Sequence, residues 1–344
     1  MKMKAAVLYE LNKPLVIEEL ELPEPNFGQV LVKIQATGIC HKQIEEIQGH
    51  RGSDPFLPHT LGHEGAGVVE AIGPGVTKVK PGNYVALSWI KGSGLQSGTP
   101  TYMKGKQKVN AGWITTFQEF TVASENRITK ISKDIKPAPA ALLGCAVSTG
   151  VGAVLNHAKI EAGSTVAVFG AGGVGLNIIQ GAALLSALKI IVVDPAKDKE
   201  KIAKSFGATH YINPKEGNPI AKIKELTDGK GVDYSFESVG RNETMEQAYE
   251  AANQSGLVTL IGVPPGGKKM SIDPFDVFHS GKRLTGCLGG NTYPDRDFPR
   301  YIALYKAGKL KIDELITHRY KLDRINEAID AILAGRVGRA VIEF

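Results

Sequence analysis

At 344 residues, 42% hydrophobic and 22% charged, the chain has a globular composition and room for two domains. A formal charge of +6 and a pI near 9.0 come without a basic run or basic–aromatic interleaving, which argues against nucleic acid and suits small anionic ligands. The N-terminus has only five apolar residues before Glu10, too few for a signal peptide; no stretch is expected to reach the 18 uncharged residues of a membrane helix; and three distant cysteines, Cys40, Cys145 and Cys287, argue for a reducing cytoplasm rather than a disulfide scaffold.

In chain order, strand patterns at 4–9 and 15–20 flank the Asn12-Lys13-Pro14 turn. A proline-bearing loop over 21–28 leads to a strand at 29–37, and further strands fall at 65–72, stopped by Gly73-Pro74-Gly75, and within 79–87. Residues 88–112, with five glycines and four lysines, predict an exposed lobe or long loop. Strand patterns resume at 113–122 and 126–131, and a helix begins at 137–143. From about Val147 the texture changes. Strands near 165–169, 190–194, 232–236, 257–261 and 284–288 alternate with helices at 175–187, 196–206, 218–228 and 242–253. That alternation predicts an α/β domain with a parallel sheet covered on both faces. Helices at 298–307 and 323–334 and a strand at 339–344 close the chain. The expected division is 1–146, 147–287 and 288–344, the last segment returning to the first domain.

The first chemical signal is Gly170-Ala-Gly172-Gly173-Val174-Gly175, which follows the apolar strand 164–169 and opens a helix. Glycines at 170, 172 and 175 have the G-x-G-x-x-G spacing: one for the turn, one for backbone approach to a pyrophosphate, one for close helix–strand packing. The helix N-terminus would supply N–H donors to the phosphates. The next strand ends in Asp194, 19 residues after Gly175, where a carboxylate binds the adenosine ribose diol. The second signal is a set of soft ligands. Cys40 and His41 follow one strand, Gly62-His63-Glu64 lies 22 residues later, ahead of the strand at 65–72, and Cys145 lies in Leu143-Gly-Cys145. Two thiolates and an imidazole suit zinc with one open position. Taken singly, each cysteine is more often a small buried hydrophobe than a ligand.

These motifs together resemble the zinc-dependent medium-chain alcohol dehydrogenases, whose ligand set this is. The likeness runs the length of the chain: Thr37-Gly-Ile-Cys40-His41, Gly62-His63-Glu64-Gly-Ala-Gly67, Gly144-Cys145 with Ser148-Thr149-Gly150, the glycine loop, Phe236-Glu-Ser-Val-Gly240, Leu260-Ile-Gly-Val263 and Gly289-Gly290. The later segments resemble the glutathione-dependent formaldehyde dehydrogenase branch, although its glutathione-contacting pattern is not recognisable. The resemblance implies a Rossmann doubly wound domain joined to a β-rich GroES-like catalytic domain. It implies a catalytic zinc on Cys40, His63 and Cys145, with Glu64 behind the metal and paired with Arg339. It places Gly170, Gly172, Gly173, Val174, Gly175, Asp194, Lys199, Thr149, Val263, His41 and Arg339 with the cofactor, which Asp194 favours as NAD over NADP. A homodimer or homotetramer formed around 257–290 is also implied.

Three departures from the family pattern shape the functional reading. Lys42 stands where Ser or Thr commonly relays a proton, and Gln43 where an aspartate commonly supports the zinc histidine; Lys42 and Glu45 become the proton-transfer candidates. Residues 88–112 lack the cysteines of a structural zinc, so one zinc per subunit is expected. The lobe carries Lys91, Lys104, Lys106 and Lys108, a solvated face or the wall of an anion pocket. The expectation is reversible oxidation of a polar alcohol (a polyol, sugar or anionic alcohol) with NAD as hydride acceptor. The alternatives are a zinc-free quinone or enoyl reductase on the same fold, or a non-catalytic dinucleotide-binding module. Neither a membrane nor a nucleic acid is expected as partner.

Overall fold

The computed structural model describes residues 1–50, 52–264, 266–335 and 337–344. The chain divides into two units, one of Met1–Cys145, Tyr293–Gly308 and Ile312–Phe344, the other of Ala146–Thr292 with Lys309–Lys311.

The second unit holds a six-stranded sheet ordered His210–Ile212, Lys189–Val193, Thr165–Phe169, Val232–Glu237, Ala252–Leu260, Arg283–Gly286, parallel throughout. In chain order this is three-two-one-four-five-six, the doubly wound arrangement, whose order reverses beside Thr165–Phe169. The apolar runs Val166–Phe169 and Ile190–Val193 do not alternate because helices cover both faces, and Ala167, Phe169, Ile191, Val193, Ile223 and Val258 form one core. The helix expected over 196–206 is shorter, a single turn at Lys197–Lys199 followed by Glu200–Ser205.

The first unit is β-rich. A closed five-stranded barrel joins Lys2–Leu8, Val16–Glu21, Thr101–Lys104, Gln107–Asn110 and His59–Thr60. Beside it a seven-stranded sheet is built around Gln29–Ile39, which pairs antiparallel with Glu64–Ile72, Phe120–Ser124 and Ala340–Glu343. Register here determines the site. Thr37 faces Gly65 and Ile39 faces Ala340, so the strand end carrying Cys40 lies beside His63-Glu64 on one side and Arg339 on the other.

Three readings of the sequence change. The segment 88–112 is not a long loop: it contains a hairpin, Thr101–Lys104 with Gln107–Asn110, that contributes two barrel strands. Tyr102 and Val109 from it are fully buried with Met3, Val7 and Leu20, while Lys104, Lys106 and Lys108 line the solvated face and Lys104 pairs with Glu18 at 2.5 Å. Glycine and lysine density concealed an alternation only two apolar residues deep. Residues 113–119 do not form a strand; Ile114–Gln118 are buried, and the Thr116 and Phe117 amides donate to the Leu61 carbonyl at 2.9 and 3.0 Å. Lastly, Pro137–Ala158 is a 22-residue helix long and apolar enough to cross a membrane, with 94% of its apolar window buried inside the fold. Its uncharged length reflects burial, as in a core helix.

Tyr102 is the polar anchor of the barrel: its hydroxyl accepts from Gln118 Nε2 at 2.8 Å and from the Val122 amide at 3.2 Å. Tyr102→Phe should strand both donors and lower stability by about 1–3 kcal/mol, read as a fall in the urea midpoint. An unchanged midpoint would show that water replaces the hydroxyl.

Candidate metal centre and dinucleotide loop

Cys40, His63 and Cys145 converge, each offering a ligand atom within 4.8 Å of the other two; the first two residues are half-buried and Cys145 is buried. Zinc–sulfur bonds of about 2.3 Å and zinc–nitrogen bonds of about 2.0–2.1 Å in a tetrahedron put ligand atoms roughly 3.5–3.8 Å apart, so a small contraction suffices. His63 Nδ1 is engaged by Gln43, whereas Nε2 is buried with no hydrogen-bond partner among the described residues. A buried imidazole nitrogen left free beside two sulfurs is what a metal ligand requires before the metal arrives.

The electrostatics are those of ligands poised for a cation. Cys145 donates its thiol hydrogen to Cys40, and this bond, with help from His63 and against burial, holds Cys40 well below the ordinary thiol value. The same shared proton, with burial, raises Cys145. Burial works to lower the His63 imidazole, but Cys40, Glu64 and Glu46 outweigh it.

Behind the sulfurs lies Glu64, fully buried and paired with the buried Arg339 guanidinium. Burial would lower Arg339, but the negative charge of Glu64, Cys40 and Cys145 raises it above its usual value. Gly38 makes this pairing possible, since a side chain there would collide with the Glu64 carboxylate. The Glu64 carbonyl is fixed as well, with the Thr37 and Thr116 hydroxyls at 2.7 and 3.0 Å. Arg339, grouped from the sequence with the cofactor residues, is thus engaged with Glu64.

Helix His41–Ile47 begins directly after Cys40. His41 is exposed on its first turn. Lys42 and Glu45 form an ion pair at 2.9 Å, with 17% and 23% of their side chains exposed, so the ammonium is compensated by the other proton-transfer candidate. Gln43 is buried; its Oε1 accepts from the Cys40 amide at 2.9 Å while its Nε2 meets His63 Nδ1. An amide can offer that nitrogen a donor, whereas a metal on Nε2 leaves Nδ1 protonated and in need of an acceptor.

In the second unit, Gly170 has φ +98°, and a side chain on Gly175 would strike the Gly170 carbonyl, so both glycines are required where they stand. Gly172 caps helix Gly173–Leu184 with no side chain occupying its N-terminus. Asp194 is buried at the adjacent strand end; Oδ2 accepts from the Ala171 amide at 2.8 Å and from Lys199 Nζ at 3.2 Å, and Oδ1 from the Ala196 amide at 2.9 Å. Asp194 and Lys199 are therefore tied to the glycine loop. Thr149 is buried with its hydroxyl unpartnered; Gly150 packs against the Val174 carbonyl, and Val263 is 48% exposed. One residue of the Phe236–Gly240 segment has a role that its motif did not assign. Glu237 is fully buried, and its Oε1 accepts from the Val239 and Gly240 amides at 2.8 Å each and from the Thr244 hydroxyl at 2.7 Å, shaping the loop after its strand.

A β-rich unit bearing a zinc-type ligand set and a doubly wound unit bearing a dinucleotide loop define a metal-dependent dehydrogenase. The profile of the alcohol dehydrogenase GroES-like domain matches residues 26–133, and that of the zinc-binding dehydrogenases matches residues 173–307. The chain belongs to the zinc-dependent alcohol dehydrogenase family. It is 38% identical, over 377 aligned positions covering 99% of this chain and all of the relative, to an S-(hydroxymethyl)glutathione dehydrogenase of Paracoccus denitrificans. Among solved structures it resembles benzyl alcohol dehydrogenase of Acinetobacter calcoaceticus (31% identity, 100% and 99% coverage, TM-score 0.91). It also resembles a zinc-binding dehydrogenase of Sinorhizobium meliloti bound to NADP (27% identity, 100% of both chains, TM-score 0.83).

The Gln43 geometry has a measurable consequence. Gln43→Glu keeps the length and supplies an acceptor to both the Cys40 amide and a protonated His63 Nδ1. Zinc affinity, measured by chelator competition, should tighten by about tenfold, the scale on which groups behind metal ligands act. Equal or weaker affinity would show that the amide already serves the metal-bound imidazole.

Proposed function

We propose that this dehydrogenase holds one catalytic zinc per chain on Cys40, His63 and Cys145 and oxidises a polar or anionic alcohol reversibly, with NAD preferred over NADP. The observation that carries the reading is the convergence of two thiols and an imidazole whose Nε2 has no other partner. When bound, zinc supplies Lewis acidity to the substrate oxygen and the dinucleotide supplies the hydride acceptor.

The chain's own residues do the rest. Cys40 carries the negative charge that draws the cation, Cys145 would give up its proton as the metal binds, and Arg339 compensates Glu64 so that a buried carboxylate can stand behind the site. Lys42 and Glu45, paired on the turn after Cys40, take the alcohol proton outward, with Glu45 as the acceptor and Lys42 holding its carboxylate in place. In the other unit, the free amides of helix Gly173–Leu184 hold the pyrophosphate, and Thr149, Val174 and Val263 wall the nicotinamide.

Asp194 supports NAD. A 2′-phosphate would face a carboxylate whose oxygens already accept from two backbone amides, while a 2′-hydroxyl would simply donate to it. Lys199 softens that repulsion without abolishing it, since its ammonium is shared with Asp194. The absence of cysteine from 88–112 supports a single zinc. Three cysteines far apart in the sequence make no disulfide framework, which supports a cytoplasmic setting. Assembly through residues 257–290, as a dimer or tetramer, is part of the same proposal and is read by light scattering.

Elemental analysis should find about one zinc per chain, and Cys40→Ser should lose the metal together with roughly a hundredfold or more of kcat. Zinc-free protein that remains active would contradict the reading. With the same alcohol, kcat/KM for NAD should exceed that for NADP by about tenfold or more, and Asp194→Ala should narrow the gap. Equal use of both cofactors would overturn the preference.

A further inference from the structure

One buried cation of the first unit has no counter-ion among the described residues. Arg127 precedes strand Ile128–Lys130 and is only 6% exposed. Its Nη1 donates to the Trp89 carbonyl, its guanidinium carbon stands 5.8 Å from the centre of the Trp113 ring, and its Nε is buried without a partner. Glu125, two residues before it, and Asp295, which meets the Thr129 hydroxyl, are committed elsewhere. Glu125 accepts from the Thr77 and Lys78 amides through Oε1 and from the Leu95 amide through Oε2; Asp295 is held by Lys78 and the Ser93 amide. Burial pulls the Arg127 guanidinium downward, and no carboxylate opposes that shift.

A desolvated guanidinium with unused donors is costly unless an anion reaches it. The Trp89 amide, which follows strand Tyr84–Ser88, in turn donates to the His63 carbonyl at 3.1 Å. Arg127 is therefore joined through one residue's backbone to a proposed metal ligand. Trp113 is 52% exposed, so its ring lies between the guanidinium and solvent rather than in the core. The planar guanidinium matches the two oxygens of a carboxylate or phosphate in a way an ammonium does not.

We propose that Arg127, flanked by the Trp89 backbone and the Trp113 ring, is the oxyanion-binding group that receives a carboxylate or phosphate carried by the alcohol substrate. This rests on the reading of a polar or anionic alcohol given above and names the residue that selects it.

The chain provides its own probe, since Trp89 and Trp113 are its two tryptophans. Titrating the zinc-loaded enzyme with acetate or inorganic phosphate, against chloride at equal ionic strength, should give a saturable fluorescence change. Which oxyanion saturates first tells a carboxylate site from a phosphate site. Arg127→Gln should weaken that binding by about tenfold or more, and Arg127→Lys, which keeps the charge but not the fork, should fall between. In turnover, KM for a carboxylated alcohol relative to its neutral isostere should rise in both variants more than kcat falls. No saturable response to either oxyanion in the wild type, which requires no variant to fold, would overturn the site, as would equal affinity in Arg127→Gln. Preference for anionic alcohols that both variants keep would overturn Arg127 and leave the substrate reading standing. Oxyanion binding at Arg127 alongside a preference for neutral alcohols would overturn the substrate assignment.

Discussion

The structure of the first unit depends on gathering two thiols, an imidazole, a carboxylate and a guanidinium in one poorly hydrated place. Unbalanced, such a cluster would be strongly destabilising, because each buried charge loses its water. The balance comes from register. The strand Gln29–Ile39 lies between Glu64–Ile72 and Ala340–Glu343, so Cys40, Glu64 and Arg339 reach the same level from three different parts of the chain. Gly38 leaves the space in which the Glu64–Arg339 pair forms. Cys145 arrives separately, on the helical stretch whose Gly144 carbonyl accepts from Ser88 at 2.6 Å.

The second unit solves a different problem with the same economy of side chains. Its glycine loop removes atoms where a backbone must pass close, and it leaves the N–H groups of helix Gly173–Leu184 uncapped. Asp194 then serves two ends. It ties down the Ala171 amide, which stiffens the loop, and it presents negative charge where the cofactor's ribose is expected. Lys199 and the Ala196 amide keep that carboxylate in position.

The parts of this arrangement that were legible in the sequence are those in which spacing or residue type is itself the chemistry. G-x-G-x-x-G followed by Asp194 is legible because glycines are required at fixed intervals. The alternation of apolar runs after Val147 is legible because a sheet covered on both faces needs continuous burial. Cys40, His63 and Cys145 were candidates by type, but their proximity is a property of strand register that no local pattern contains. Gln43 stood out as a departure, yet that it bridges the Cys40 amide and His63 could not be read from its position. The hairpin within 101–110 was hidden by glycines and lysines, although Tyr102 and Val109 point inward. Arg127 sits in an ordinary-looking segment ahead of a strand, and only the fold shows that no acid among the described residues accompanies it. Pro137–Ala158 departs from the expectation that no run reaches 18 uncharged residues, because burial in protein tolerates such a run as readily as lipid does.

The central claim is that Cys40, His63 and Cys145 form one zinc site with an open position. X-ray absorption at the zinc edge of the purified protein tests it most directly. The account predicts two sulfur scatterers at about 2.3 Å and two nitrogen or oxygen scatterers at about 2.0–2.1 Å, one of them from His63 and the other from solvent. A shell of four sulfurs, a shell without sulfur, or a sulfur count unchanged in Cys145→Ser would contradict it.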